Sequence, residues 1–255
     1  MLRGDRRGAT NVPMRRDNRP ADELRPVELL RGFTQAAAGA VLIRAGRTQV
    51  LCTASIEESL PAWREPSGKG WITAEYEMLP GATAPRRARE RMRVDGRSQE
   101  IQRLVGRALR AVADLDKLGS RTIYVDCDVL EADGGTRTAA ITGAYVALAD
   151  AAAEGRRRGL WGADVLLAGV AAASVGIVDG EPLLDLDYGE DARASVDCNL
   201  VMTTRGQWVE VQAAGEGATY GDEDLARMMA LGRRGIERIF AAQRAALARP
   251  LTSGR

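Results

Sequence analysis

Asp133-Gly134-Gly135-Thr136-Arg137-Thr138 is the stretch on which the reading of this chain turns, because of what stands on either side of it. Upstream, Ile123, Val125, Cys127 and Val129 alternate with polar residues, and a period of two predicts a strand with one buried face. Downstream, Ala139 to Ala153 is alanine-rich, with Ile141, Tyr145 and Leu148 at helical spacing. Strand, glycine pair, hydroxyl, arginine and helix together have the layout of an anion cradle. Glycines let the backbone approach, and free N–H groups at a helix N-terminus attract negative charge. Arg137 adds a planar fork that suits two phosphate oxygens. The same residues also read as a tight strand-to-helix turn with Thr136 as N-cap. The arginine favours the cradle, since a cap alone has no use for one.

Further along, Leu184-Asp185-Leu186-Asp187-Tyr188-Gly189-Glu190-Asp191 leaves a strand and accumulates acids, with Asp197 following just before Cys198. Alternation puts Asp185 and Asp187 on one face of that strand. A turn back into a strand at Asn199 would bring Asp191 and Asp197 together. Two neighbouring carboxylates can hold a hard divalent cation or keep one proton between them. An acidic loop standing alone is a solvated turn. Beside a phosphate cradle it means more, because phosphoryl transfer needs positive charge on the non-bridging oxygens and a metal or an acid at the leaving oxygen.

Composition narrows the chemistry. The chain of 255 residues contains no histidine. That removes Ser-His-Asp hydrolysis, Cys-His catalysis and histidine-ligated zinc, and leaves acid–base and metal work to carboxylates. Cys52, Cys127 and Cys198 stand singly in apolar runs and read as core residues of a reduced compartment. No apolar run is long enough to span a bilayer, and the arginine-rich N-terminus lacks the apolar stretch of a signal peptide. A cytoplasmic protein with no membrane partner is expected. Net charge is only +1, yet arginines crowd the N-terminus and the stretch from Arg86 through Arg110. A basic stripe in a nearly neutral protein marks where a polyanion can lie.

Residues 1–22 are charged and aperiodic, which predicts a flexible basic arm, and residues 23–250 read as one domain. Strands are predicted at Val27 to Leu30, Ala40 to Arg44, Gln49 to Ile56 and Trp71 to Met78. Pro85 to Val94 has no apolar face and reads as an exposed loop. Ser98 to Leu118 carries an apolar stripe from Ile101 to Val112 and predicts a helix capped by Ser98 and closed by Gly119. Arg103, Arg107 and Arg110 lie off that stripe. Val165 to Val178 is strongly apolar and meets Leu183 to Leu186 through an Asp179-Gly180 hairpin turn. A second hairpin joins Asn199 to Thr203 with Gln207 to Gln212, and a last amphipathic helix starts near Asp222. Strands with interleaved helices indicate an α/β or α+β fold.

Across most of its length the chain resembles the ribonuclease PH family of phosphorolytic exoribonucleases. The resemblance rests on the Gly135-to-Arg137 turn and on Leu24-Arg25-Pro26-Val27, Val50 to Glu58, Gly70-Trp71-Ile72-Thr73-Ala74-Glu75-Tyr76, Gly96 to Leu104, Asp126 to Leu130, and Asp187 to Asp191 with Asp197. It implies a βαβ-type sheet-and-helix domain of the ribonuclease PH, or ribosomal protein S5 domain 2-like, type. It implies that Arg97, Gly135, Thr136 and Arg137 bind inorganic phosphate, a co-substrate. Asp191 and Asp197 would bind magnesium or act at the reacting phosphodiester, and Arg86 and Arg89 would face the RNA. The activity implied is phosphate-dependent 3′→5′ trimming of tRNA precursors and other RNA 3′ ends, with nucleoside diphosphates released. The assembly implied is a homo-oligomer, a hexameric ring built as a trimer of dimers.

The chain departs from the family where Gly81 follows Leu79-Pro80, a place where many relatives carry arginine, and at Ala213-Ala214-Gly215-Glu216-Gly217. Two other functions compete with the phosphorolytic one. A non-catalytic RNA-binding ring subunit of an exosome-like assembly would be expected to lose the phosphate arginines or the acids. A hydrolytic nuclease would leave the anion cradle without a purpose.

Overall fold

The computed structural model describes residues 15–89 and 95–251. Five strands form the first sheet: β1 (Val27–Arg31), β2 (Gly39–Ala45), β3 (Thr48–Glu57), β4 (Trp71–Met78) and β5 (Thr122–Glu131), in the order β1-β2-β3-β5-β4. β5 runs antiparallel to β3 and parallel to β4. Parallel neighbours need a crossover, and α1 (Gly96–Arg110) supplies it, giving the βαβ unit. The alternation that predicts β5 has a matching alternation in β3. Val50, Cys52 and Ala54 sit opposite Val129, Cys127 and Val125, and all six side chains are buried. α3 (Thr136–Arg157) covers that face over β2 and β3, with α1 beside it on β4.

β6 (Val170–Val178), β7 (Glu181–Leu184), β8 (Val196–Thr203) and β9 (Trp208–Gly215) make the second sheet, antiparallel throughout, in the order β7-β6-β8-β9. Helices cover both of its faces. Val170 and Ala172 join the core around α3, while Ala171, Ala173 and Val175 join Met228, Ile236 and Phe240 of α5 (Asp222–Ala248). A strand buried on both sides loses its alternation, which accounts for the unbroken apolar run in the sequence. Asp179 (φ 52°) and Gly180 (φ 85°) make the two-residue turn between β6 and β7, as the sequence predicts.

Three local expectations are corrected. The helix predicted from Ser98 to Leu118 is two, α1 and a single turn, α2 (Leu115–Leu118). Between them the backbone bonds to the segment ahead of β6, with Asp114 donating to the Val165 carbonyl and Leu167 to that of Val112. Long-range pairing of this kind is invisible to periodicity. Asp95, not Ser98, caps α1, accepting the Ser98 N–H. Asp185 and Asp187 do not share a strand face. β7 ends at Leu184, Asp185 turns at φ 56°, and Asp187 begins the short helix α4 (Tyr188–Asp191).

The expected arm divides in the same way. Residues 1–14 lie outside the described residues, as do 90–94 of the expected loop. From Arg15 onward the chain is docked. The Arg15 guanidinium is buried against Glu190 at 2.7 Å and donates to the Leu184 and Asp185 carbonyls. Arg19 pairs with Asp17 and Asp185. These two arginines are therefore spent within the fold. In α1, Arg107 pairs with Glu210 and Arg110 lies over the Trp71 ring, while Arg103 stays exposed.

Candidate active site

Gly134 (φ 74°) and Gly135 (φ 66°) turn the chain from β5 into α3 through the left-handed region. Thr48 fixes the turn from beneath, donating to the Gly134 carbonyl at 2.7 Å and accepting the Asp133 N–H at 2.9 Å. Gly135 stands at the cap position, so Thr136 is the first helical residue and not the cap. The Thr136 hydroxyl instead accepts from the buried Tyr76 hydroxyl at 2.8 Å. The opening N–H groups of α3 have no partner inside the helix and point out of its end.

The acidic segment lies directly on this turn. A Cβ on Gly134 would stand 2.4 Å from the Leu186 carbonyl oxygen and 2.9 Å from the Tyr188 nitrogen. Alanine at 134 would meet both that clash and a strained φ, so Gly134→Ala is expected to lower stability by roughly 2–4 kcal/mol. Thermal unfolding measures it. A melting temperature equal to the parent's would show that the turn has room to move.

Most acids of the segment have structural partners. The Asp185 carboxylate takes two bonds from the Arg25 guanidinium, at 2.7 and 3.0 Å, and one from its backbone N–H at 2.8 Å. Arg25 also donates to the Asp133 carbonyl, tying the N-terminal segment, the glycine turn and the acidic segment together. Asp187 and Glu190 form a capping box on α4. Asp191 and Asp197 are left.

Asp191 ends α4. Alternation along β8 puts Asp197 on the face it shares with Asn199 and Val201, the face turned towards α1 and α3. Asn199 donates to Asp197 Oδ2 at 3.0 Å. On β9, Gln212 lies opposite Asn199 and accepts from Arg137 at 3.0 Å. Glu100 is 3.6 Å from the same guanidinium and is itself held by Gln212 at 2.9 Å. Arg97, in the first turn of α1, is exposed and has no ion-pair partner among the described residues.

Charges in this group sense one another. Partial removal from water raises the Asp191 carboxyl, against the pull of Arg97 and Arg137 and with some help from Glu216. Asp191 stays open to water on one side, so its desolvation comes from the protein walls around the other sides. Burial also raises Asp197, and the neighbouring Asp191 charge raises it further, while Arg137, Asn199 and Arg97 oppose. Two carboxylates and two guanidiniums thus converge. Arg97, Gly134, Gly135, Thr136 and Asp191 line a cavity of about 480 Å³, and Arg137 and Asp197 stand outside its wall. Arg86 and Arg89 are exposed and do not line it, although Arg87 between them does.

Sequence reasoning passed over Tyr76, Asn199, Gln212 and Thr48. Tyr76 lies in a segment already singled out by its resemblance, and its place in a strand leading to the site was the available signal. For Gln212 and Thr48 only the strand registers supply one.

Comparison with known proteins matches residues 23–154 to domain 1 and residues 169–235 to domain 2 of the 3′ exoribonuclease family, RNase PH. The chain is 54% identical over 239 residues to ribonuclease PH of Corynebacterium kroppenstedtii, covering 93% of this chain and 94% of that one. To ribonuclease PH of Mycobacterium ulcerans it is 56% identical over 242 residues, 92% of each chain. Among solved structures it is similar to rice Rrp46 (TM-score 0.76, 21% identity, 91% of this chain and all of that one). It is equally similar to a chain of the Archaeoglobus fulgidus exosome with RNA bound to the active site (TM-score 0.76, 24% identity, 90% and 92%).

Proposed function

Because this chain belongs to the RNase PH family of 3′ exoribonucleases, we propose that it trims the 3′ ends of tRNA precursors by phosphorolysis, releasing nucleoside diphosphates. One observation carries the reading: Arg97 and Asp191 line one cavity with the glycine turn that opens a helix, and Arg137 and Asp197 are held beside it by Gln212 and Asn199, which face each other across two strands. Inorganic phosphate is held by Arg97, the Gly135 and Thr136 turn and Arg137. One of its oxygens attacks the last phosphorus in line. The new P–O bond makes a nucleoside diphosphate as the bond to the preceding 3′ oxygen breaks. That oxygen leaves as a hydroxyl, its proton passing through the acidic pair, whose raised carboxyls can hold one. One phosphate linkage replaces another, so the reaction is readily reversible.

Asp191 and Asp197 also fit a magnesium ion, which would supply positive charge at the leaving oxygen. Among the described residues no group of three or more acids and cysteines could cage a metal. Two carboxylates, one of them oriented by Asn199, suit a cation that keeps several waters and shares the substrate phosphates. For the assembly we propose a hexameric ring, a trimer of dimers, which light scattering tests directly.

Retention of both arginines and both acids favours this reading over a non-catalytic ring subunit. Incubation with a 3′-extended tRNA, with and without phosphate, decides the rest. Phosphate-dependent release of nucleoside diphosphates is expected. Nucleoside monophosphates, with no need for phosphate, would make the protein a hydrolase.

Arg86 and Arg89, exposed and without carboxylate partners among the described residues, are proposed to hold the RNA backbone. Replacing both by alanine should weaken binding of precursor tRNA and lower the slope of log affinity against log salt by roughly 1–2. Turnover of a short oligonucleotide should fall much less. Equal losses on long and short RNA would place these arginines at the reacting bond instead.

A further inference from the structure

Tyr188 has no part in the chemistry described so far, and its position is unusual. It is the first residue of α4, one helical turn before Asp191, and the residue is 67% exposed. It lines the same cavity as Arg97, Thr136 and Asp191, where it is the single aromatic residue of the described wall. Its backbone is fixed from two directions. The Asp187–Glu190 capping box holds α4, and the Gly134 turn packs against the Tyr188 nitrogen. An exposed ring on a rigid mount, with its hydroxyl bonded to nothing among the described residues, has no stabilising task in the fold. Met78, Ala84, Pro85 and Ala132 add an apolar part to the same cavity.

We infer that Tyr188 is a stacking platform for the 3′-terminal base of the RNA, an inference that rests on the phosphorolytic reading of the site. Phosphate binding at Arg97 and Arg137 addresses the attacking group, and the acidic pair addresses the leaving oxygen. Neither holds the nucleoside that is about to leave. A base laid on the Tyr188 ring, against the apolar part of the cavity, sets the terminal phosphodiester beside Asp191. Every base has a π-face, so such a platform grips any 3′ terminus and suits an enzyme that removes successive nucleotides. A nucleoside lacking its base would lose the grip.

The test uses the full-length protein and two short oligonucleotides that differ only at the 3′ end, one with its terminal base and one in which hydrogen replaces that base. The parent is expected to show a KM for the base-bearing RNA lower by about 5- to 150-fold, with a smaller difference in kcat. Tyr188→Ala should raise KM for the base-bearing RNA to that of the abasic one and abolish the discrimination. Tyr188→Phe and Tyr188→Trp should restore it, because stacking needs the ring and not the hydroxyl. A Tyr188→Ala protein that keeps the parent's discrimination overturns the inference. So does one whose losses accompany a changed oligomeric state or melting temperature, since Tyr188 would then serve an interface or the fold. Phosphate-dependent release of nucleoside diphosphate by the parent is measured in parallel. A parent that releases it but ignores the terminal base refutes the platform alone, whereas a parent that releases none refutes the reading of the site as well.

Discussion

Asp197→Asn should lower turnover on a 3′-extended tRNA by roughly 100- to 1,000-fold, the cost of removing one preorganised group from a reacting phosphate, while leaving the fold at least as stable. The two effects have one origin. Burial and the neighbouring Asp191 charge raise the Asp197 carboxyl above its ordinary value of 3.8. The folded protein therefore binds this proton more tightly than the unfolded chain does. The stabilisation from the neutral form is fully present below 3.8 and is lost as pH rises through the elevated folded value. The parent loses it as pH rises, whereas asparagine is neutral at every pH. The variant's melting temperature should thus exceed the parent's at pH 7, and the gain should vanish below the ordinary carboxylate range. Asn199 can still bond the side chain, because a flipped amide presents its oxygen. Single-turnover rates and melting curves at the two pH values check both halves. Parent-rate trimming by both Asp191→Asn and Asp197→Asn with magnesium present would reduce the acidic segment to a solvated turn.

Arg137→Ala should raise the phosphate requirement by about 10- to 150-fold, equivalent to roughly 1.5–3 kcal/mol for one charge-assisted, bidentate contact. Arg137 does not hang freely. Gln212 holds one end of the guanidinium at 3.0 Å, and Glu100 stands at 3.6 Å. Its fork is therefore oriented before phosphate arrives, and alanine removes both the charge and the orientation. Arg137→Lys keeps the charge without the fork and should fall between parent and alanine. Initial rates against phosphate concentration, at fixed RNA, give the answer. An alanine variant with the parent's phosphate dependence would mean that the turn binds something else.

Local signals carried the sequence reading a long way. Alternation in β5 identified its buried face, and the Gly134-Gly135 pair marked the turn. Asp191 and Asp197 stood out because both are acids at the two ends of one short polar segment. Global contacts defeated the same reasoning. Alternation put Asp185 and Asp187 on one strand face, yet the strand ends before them, and Arg25 and the cap of α4 claim them. Nothing near position 185 in sequence announces a partner 160 residues away. The break after Arg110 was hidden for the same reason, since the bonds that pull Ala111 to Asp114 out of the helix come from residues 165–167. Composition alone could not separate Arg15 and Arg19 from the other N-terminal arginines. A stripe of like charge resembles a polyanion site until Glu190 and Asp185 are seen to neutralise Arg15 and Arg19.

The bond between Arg25 and Asp185 also acts as a clock on synthesis. Arg25 leaves the ribosome early, and its carboxylate follows 160 residues later, a wait of roughly 8–32 s at 5–20 residues per second. During that interval β5 and the glycine turn have been made, but the guanidinium that grips the Asp133 carbonyl has no counter-charge to keep it in place. Asp191 and Asp197 come later still. A nascent chain can therefore hold most of the first sheet before Asp185, just past β7, arrives to neutralise Arg25 and before either acid of the pair has been made.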